Sequence, residues 1–170
     1  MFFTRLFSFQ EPWQSFCVEP PCGQLNIANP QIYEVLQKLY NDMVESFKPL
    51  DLFHYGGDEV NLNCWNSTEQ IKKWMLETAK QPDLSADSYY KEWNIFQEKA
   101  RLALTKANGQ VEVPGILWTS HLTEKGRAAQ FLDPLKYIIQ IWTTGEDPLI
   151  KVSRVTLVEE LPSSTSKSDH

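Results

Sequence analysis

Leu50-Asp51-Leu52-Phe53-His54-Tyr55-Gly56-Gly57-Asp58-Glu59-Val60 is the stretch from which the architecture of this chain can be read. Leu50 to Phe53 is a short strand-like run. Two glycines soften the turn that follows, and two neighbouring carboxylates, Asp58 and Glu59, come directly after it. Acids delivered to the carboxyl end of a strand stand where α/β barrels keep their chemistry. The stretch therefore reads as part of an enzyme.

On the amino-terminal side, Asn29-Pro30 opens a helix, with asparagine as cap and proline in the first turn. Ile32, Val35, Leu36, Leu39, Tyr40, Met43, Val44 and Phe47 recur at helical steps and form an apolar stripe that must pack against something. Pro49 ends it. Beyond the acids, Ser67-Thr68-Glu69-Gln70 has the form of a capping box and predicts a helix with Ile71, Trp74, Met75 and Thr78 on one side. Gln81-Pro82-Asp83 breaks that helix. A third starts near Ser85, carries Tyr89, Trp93, Phe96, Ala100, Ala103, Leu104 and Ala107, and ends at Asn108-Gly109, a left-handed cap. Its aromatics read as core. Strands are predicted over Val113–Trp118 and Tyr137–Trp142, each ending in tryptophan, so that Trp118, Trp142 and the acid pair converge from three strand ends. Alternating helices and strands predict an α/β fold.

Composition sets limits. Of the 170 residues, 42% are hydrophobic and 12% aromatic, enough for a packed core. A whole (β/α)8 barrel needs at least about 200 residues, so the expectation is a partial barrel. A net charge of −6 without a Lys/Arg cluster argues against a nucleic-acid partner and leaves no basis for membrane-surface attraction. No apolar run approaches the roughly 20 residues of a membrane span, and Met1–Phe9 lacks a convincing small-residue cleavage site, so no signal peptide is assigned. Cysteines number three, an odd count. Cys17 and Cys22 enclose Val-Glu-Pro-Pro, a turn-forming loop whose ends can meet; reduced cytosolic thiols are the alternative.

His54-Tyr55-Gly56-Gly57-Asp58-Glu59-Val60 followed by Cys64-Trp65 resembles the signature of family 20 glycoside hydrolases, the β-N-acetylhexosaminidases. Glu11-Pro12-Trp13, the run Cys17 to Asn26, and Asn61 to Thr68 resemble the arthropod chitooligosaccharide-degrading branch of that family. Several separated motifs in order are more specific than any one alone. The resemblance covers residues 10–151. It implies a partial TIM barrel of about strands 3/4 to 6 with their helices, preceded by a non-family segment over 1–9 and followed by a serine-rich, disordered tail over 152–170.

The resemblance also implies roles. Glu59 is the general acid and then base, while Asp58 holds the substrate's acetamido N–H and stabilises an oxazolinium ion, the substrate's own acetamido oxygen being the nucleophile. Trp118 and Trp142 wall the pocket of the terminal sugar, Trp13, Val18 and Glu19 shape the adjoining subsite, and His54 belongs to the substrate-binding set as an orienting group. No metal or other cofactor is implied. The expected substrate is a chitooligosaccharide or another N-acetylhexosaminide, and a homodimeric parent enzyme is compatible with the resemblance. Cys17 pairs with Cys22 in the family, leaving Cys64, whose family partner would fall at Phe7. Asn66-Ser67-Thr68 is a glycosylation sequon and, with the disulfide, implies a secreted or lysosomal parent. An arginine, an Asp-His pair, a tyrosine, an aspartate and a tryptophan of the family's pocket lie outside this chain, so the expectation is an inactive fragment with poor solubility. Competing readings are a glycan-binding remnant without turnover, a sequence from an incompletely assembled gene that yields no stable protein, a metal site at His54, Asp58 and Glu59, and an ordinary strand-end turn with Asp58 and Glu59 as solvated acids. No second histidine lies nearby to support the metal reading.

Overall fold

The computed structural model describes residues 15–18, 24–124 and 126–141. Trp13, Glu19, Cys22 and Trp142, the 1–9 segment and the 152–170 tail lie outside them. Helix α1 (Gln31–Phe47) is followed by strand β1 (Phe53–Gly56), helices α2 (Leu62–Ser67), α3 (Glu69–Glu77) and α4 (Ala86–Ala107), strand β2 (Gly115–Trp118), a 3-10 turn (His121–Thr123), helix α5 (Arg127–Phe131) and strand β3 (Tyr137–Gln140). The strands form one parallel sheet in the order β1-β2-β3. Parallel neighbours need crossovers, and the helices between the strands supply them. The fold is thus α/β among the described residues.

The helix α1 starts one residue later than expected: Pro30, with a φ of −64°, occupies the cap position without a side-chain cap bond, and Asn29 Oδ1 accepts the Gln31 N–H at 3.0 Å in the turn leading in. Ile32, Leu36, Tyr40 and Val44 form its buried stripe. Phe47, expected on that stripe, is instead 67% exposed; it is the last residue of the helix. Along α1, Leu36, Tyr40 and Val44 pack with Phe53 of β1 and with Ala100 and Leu104 of α4.

The strand after α1 is displaced from its expected place. Leu50, Asp51 and Leu52 are not in the sheet, and β1 starts at Phe53, whose N–H donates to Pro114 O at 3.0 Å. Asp51 and Leu52 are exposed, and pairing begins only where the chain meets β2 at Gly115. β2 likewise opens at Gly115 rather than Val113. Proline at 114 has no N–H to give a ladder. Side chains alternate across the sheet. Phe53, Tyr55, Gly115, Leu117 and Tyr137 fall on the helix-covered face; His54, Ile116 and Trp118 fall on the other.

The capping box at Ser67 does not form. Asn61 caps an unforeseen short helix, α2, by accepting the Asn63 N–H at 2.9 Å, and the hydroxyls of Ser67 and Thr68 both donate to Cys64 O. The hydroxyls that the box needs are thereby used to end α2, and α3 starts at Glu69 without a side-chain cap. In α3, Ile71 and Met75 are completely buried and Trp74 partly, whereas Thr78 is exposed at the C-cap. α4 matches its expected limits: Ser85 Oγ accepts the Ser88 N–H, and Gly109 has a φ of +69°. Tyr89, Tyr90 and Trp93 of α4 join Trp65, Ile71, Met75, Leu117 and Tyr137 in the largest apolar cluster.

α4 also buries Glu92, Gln97 and Arg101, polar residues that its apolar spacing does not announce. Arg101 makes ion pairs at 2.9 Å with both Glu98 and Glu112, and Tyr137 donates to Glu98 Oε1 at 3.0 Å. A buried charge is tolerated only when paired and hydrogen-bonded. This network ties α4 to the amino ends of β2 and β3.

Candidate active site

The site is built from a backbone turn. Gly56 and Gly57 have φ of +72° and +82°, a left-handed conformation in which a Cβ costs roughly 1–2 kcal/mol per residue. A Cβ on Gly57 would also lie 3.2 Å from Gln97 Nε2. Two glycines are thus required where the strand ends and the acids begin. Beyond them Asp58 is half-buried and Glu59 exposed.

His54 lies on the face of β1 opposite the helices. Its Nδ1 accepts the Gly56 N–H at 2.9 Å, bridging the point where β1 and β2 fall out of register. Its ring lies on Trp118, with centroids 4.5 Å apart and planes inclined by 50°. Trp118 itself is half-buried at the carboxyl end of β2. Trp118 and the acid pair therefore sit at neighbouring strand ends, as expected. The contact that joins them runs through His54.

The segment after Glu59 is held from a distant part of the chain. Gln24, 6% exposed, accepts the Asn61 N–H at 2.9 Å and donates to Asn61 O at 3.1 Å, replacing the two bonds of a β pair with one side-chain amide. Next to it, Leu25 O accepts the Trp65 indole N–H at 3.0 Å, and Asn26 Nδ2 donates to Gln70 Oε1 at 3.1 Å. Gln24 and Gln97 were not singled out from sequence. The only local signal was uncharged polar residues in stretches that otherwise read as loop or core.

A cavity of about 490 Å³ opens against the acids. Asp58, Glu59, His54, Gly57, Gln24 and Gln97 are among its lining residues, together with Leu36, Leu39, Tyr40, Met43 and Phe53. Both acidic residues are among those that line this one space. Tyr55 lines it too, and burial first, then the neighbouring Tyr40 and Tyr137, pushes its phenol far above the ordinary value of 10. It is a neutral wall at working pH. Trp118 is not part of this cavity lining; His54 is the residue that touches both.

The other expected residues divide by position. Val18 is half-buried, packs against the main apolar cluster and donates its N–H to Gln24 O at 3.1 Å. Cys17 is disulfide-bonded and buried with Phe16 and Ile32. Its expected partner, Cys22, lies outside the described residues, as do Trp13, Glu19 and Trp142. Asn66 is exposed on α2, where its Oδ1 accepts the Tyr89 hydroxyl at 3.1 Å.

The chain matches the model of glycosyl hydrolase family 20, catalytic domain, over residues 4–155. It is 49% identical over 141 residues to the chitooligosaccharidolytic beta-N-acetylglucosaminidases of Ostrinia furnacalis and Bombyx mori, an alignment covering 83% of this chain and 23% of each relative. A probable beta-hexosaminidase, fdl, of Drosophila melanogaster is 35% identical over 137 residues, 78% of this chain and 17% of that protein. The chain thus spans under a quarter of the length of the curated relatives it matches.

Proposed function

The chain belongs to glycosyl hydrolase family 20, and from that premise we propose that it carries the acid and acetamido-positioning part of an exo-β-N-acetylhexosaminidase site. The substrate is a chitooligosaccharide, and the product is its terminal N-acetylglucosamine. Glu59 protonates the leaving glycosidic oxygen as the substrate's acetamido oxygen attacks the anomeric carbon. Asp58 accepts the acetamido N–H and stabilises the oxazolinium ion. Glu59, now ionised, takes a proton from the water that opens the ring, and the β configuration is retained. Exposure of Glu59 suits a group that must reach both a leaving group and water.

The observation that carries this reading is the left-handed pair Gly56-Gly57, which ends β1 and leads directly into two acidic residues that line one cavity, next to the strand that ends in Trp118. The sheet is read as consecutive strands of a (β/α)8 barrel whose catalytic-domain portion runs over residues 10–151. Trp142, Trp13, Val18 and Glu19 complete the sugar walls. Asn66, exposed beside Trp65, is the glycan acceptor of a secreted or lysosomal parent. The disulfide at Cys17 favours the same oxidising compartment.

The test is a chimera in which residues 24–141 replace the matching segment of the Ostrinia furnacalis relative, assayed for release of a chromogenic aglycone from an N-acetyl-β-glucosaminide. The expected result is turnover that falls by about 10²–10⁴-fold in Glu59→Gln. An active chimera indifferent to that change would remove Glu59 from the mechanism. A second reading, to which the contact of His54 with Trp118 at the strand end lends support, is sugar binding without cleavage. Binding of N-acetylglucosamine by the 170-residue chain without aglycone release would support it.

A further inference from the structure

Building on the family reading above, we infer that His54 is a positioning residue that ties Trp118 to the turn carrying Asp58 and Glu59, and is not a group that touches the sugar. Nδ1 is already engaged, accepting the Gly56 N–H at 2.9 Å, and Nε2 is buried, with no partner among the described residues. Elsewhere this chain makes the same residue-to-second-neighbour bond with asparagine, from the N–H of Ala28, Gln31 and Asn63 to Asn26, Asn29 and Asn61, at 2.9–3.1 Å. Asparagine would serve that bond at position 54 as well. What imidazole adds is a ring, and the ring lies on Trp118 at 4.5 Å. The bond falls where β1 and β2 lose register, so it stands in for pairing that the bulge removes. Sugar wall and acid turn are thereby fixed to each other through one side chain.

Two substitutions separate the halves of this device. His54→Asn keeps an acceptor for Gly56 and deletes the ring; His54→Phe keeps a ring and deletes the acceptor. Backbone amide exchange and indole N–H relaxation are measured by NMR on the 170-residue chain and both variants, with far-ultraviolet circular dichroism as the check on folding. The Gly56 amide is expected to be protected in the native chain and His54→Asn and unprotected in His54→Phe. The Trp118 indole is expected to be ordered in the native chain and His54→Phe and mobile in His54→Asn. In titrations with N-acetylglucosamine, loss of an aromatic contact predicts about two- to tenfold weaker binding for His54→Asn, not additive with Trp118→Ala.

A freely exchanging Gly56 amide or a mobile Trp118 in the native chain overturns the proposal even if neither variant folds. So does His54→Asn binding the sugar as tightly as the native chain. Failure of the native chain to bind N-acetylglucosamine counts against the sugar-site reading instead, and the exchange and relaxation data then decide the role of His54 by themselves.

Discussion

Gln24→Ala tests how the acid loop is held. The substitution removes two hydrogen bonds, at 2.9 and 3.1 Å, between a buried side-chain amide and the backbone of Asn61, two residues past Glu59. At about 0.5–1.5 kcal/mol net per bond, the expected destabilisation is about 1–3 kcal/mol. For a domain of this size that is a fall of roughly 2–12 °C in Tm, at about 2–4 °C per kcal/mol. Thermal melts followed by circular dichroism give the stability change, and exchange of the Asn61 amide locates it. Gln31→Ala is the control, since Gln31 is exposed and its change should stay within about 0.5 kcal/mol. In the active chimera, freeing the segment after Glu59 should lower kcat by about tenfold or more, because displacement of a catalytic group by an ångström is costly. A Tm within 1 °C of the control's, with the Asn61 amide still protected, would refute the clamp.

Gly115→Ala should cost about 1–3 kcal/mol by overpacking, because its Cβ would stand 2.8 Å from Tyr55 Cε2 and 3.1 Å from Tyr137 Cδ1, with rings on both sides; urea titration measures it, and a neutral result would show that the rings yield. Acid should lower the stability of the chain in part through Glu98. Burial is the largest single influence on that carboxyl and opposes its charge, but hydrogen bonds from Arg101 and Tyr137 and the charges of Arg101 and Lys136 together hold it below the ordinary 4.5. The unfolded chain therefore takes up this proton first, so the stabilisation is present above pH 4.5 and is lost as pH falls through the lowered folded value. Tyr137→Phe removes one donor and should shrink the stability lost as pH falls below 4.5; an unchanged pH dependence would show that this bond does not hold the charge.

Much of the local structure was legible because its causes are local. Asn29 turns the chain into α1 and Ser85 caps α4 from within a few residues, Gly109 needs its left-handed φ whatever surrounds it, and Gly56-Gly57 announces a turn before the acids. The misplaced features were those in which one local signal competed with another. Ser67 and Thr68 have the chemistry to open a helix but use it to close one, since Cys64 O lies one turn back. Leu50–Phe53 has the apolar character of a strand, yet a strand exists only where a partner offers hydrogen bonds, and β2 offers them from Phe53 onward.

The chain's sequence alone therefore determined its family, the extent of the two long helices α1 and α4, the acid pair and the two glycines before it, because motif spacing and backbone preference act over a few residues. Tertiary structure alone decided that Gln24 holds Asn61 across 37 positions, that Glu98, Arg101 and Tyr137 share a network, and that His54 carries Trp118. Those pairs have no signature in spacing. Each becomes favourable only when packing has excluded water and placed a second polar or aromatic group within reach, which is a property of the folded chain and not of any segment in it.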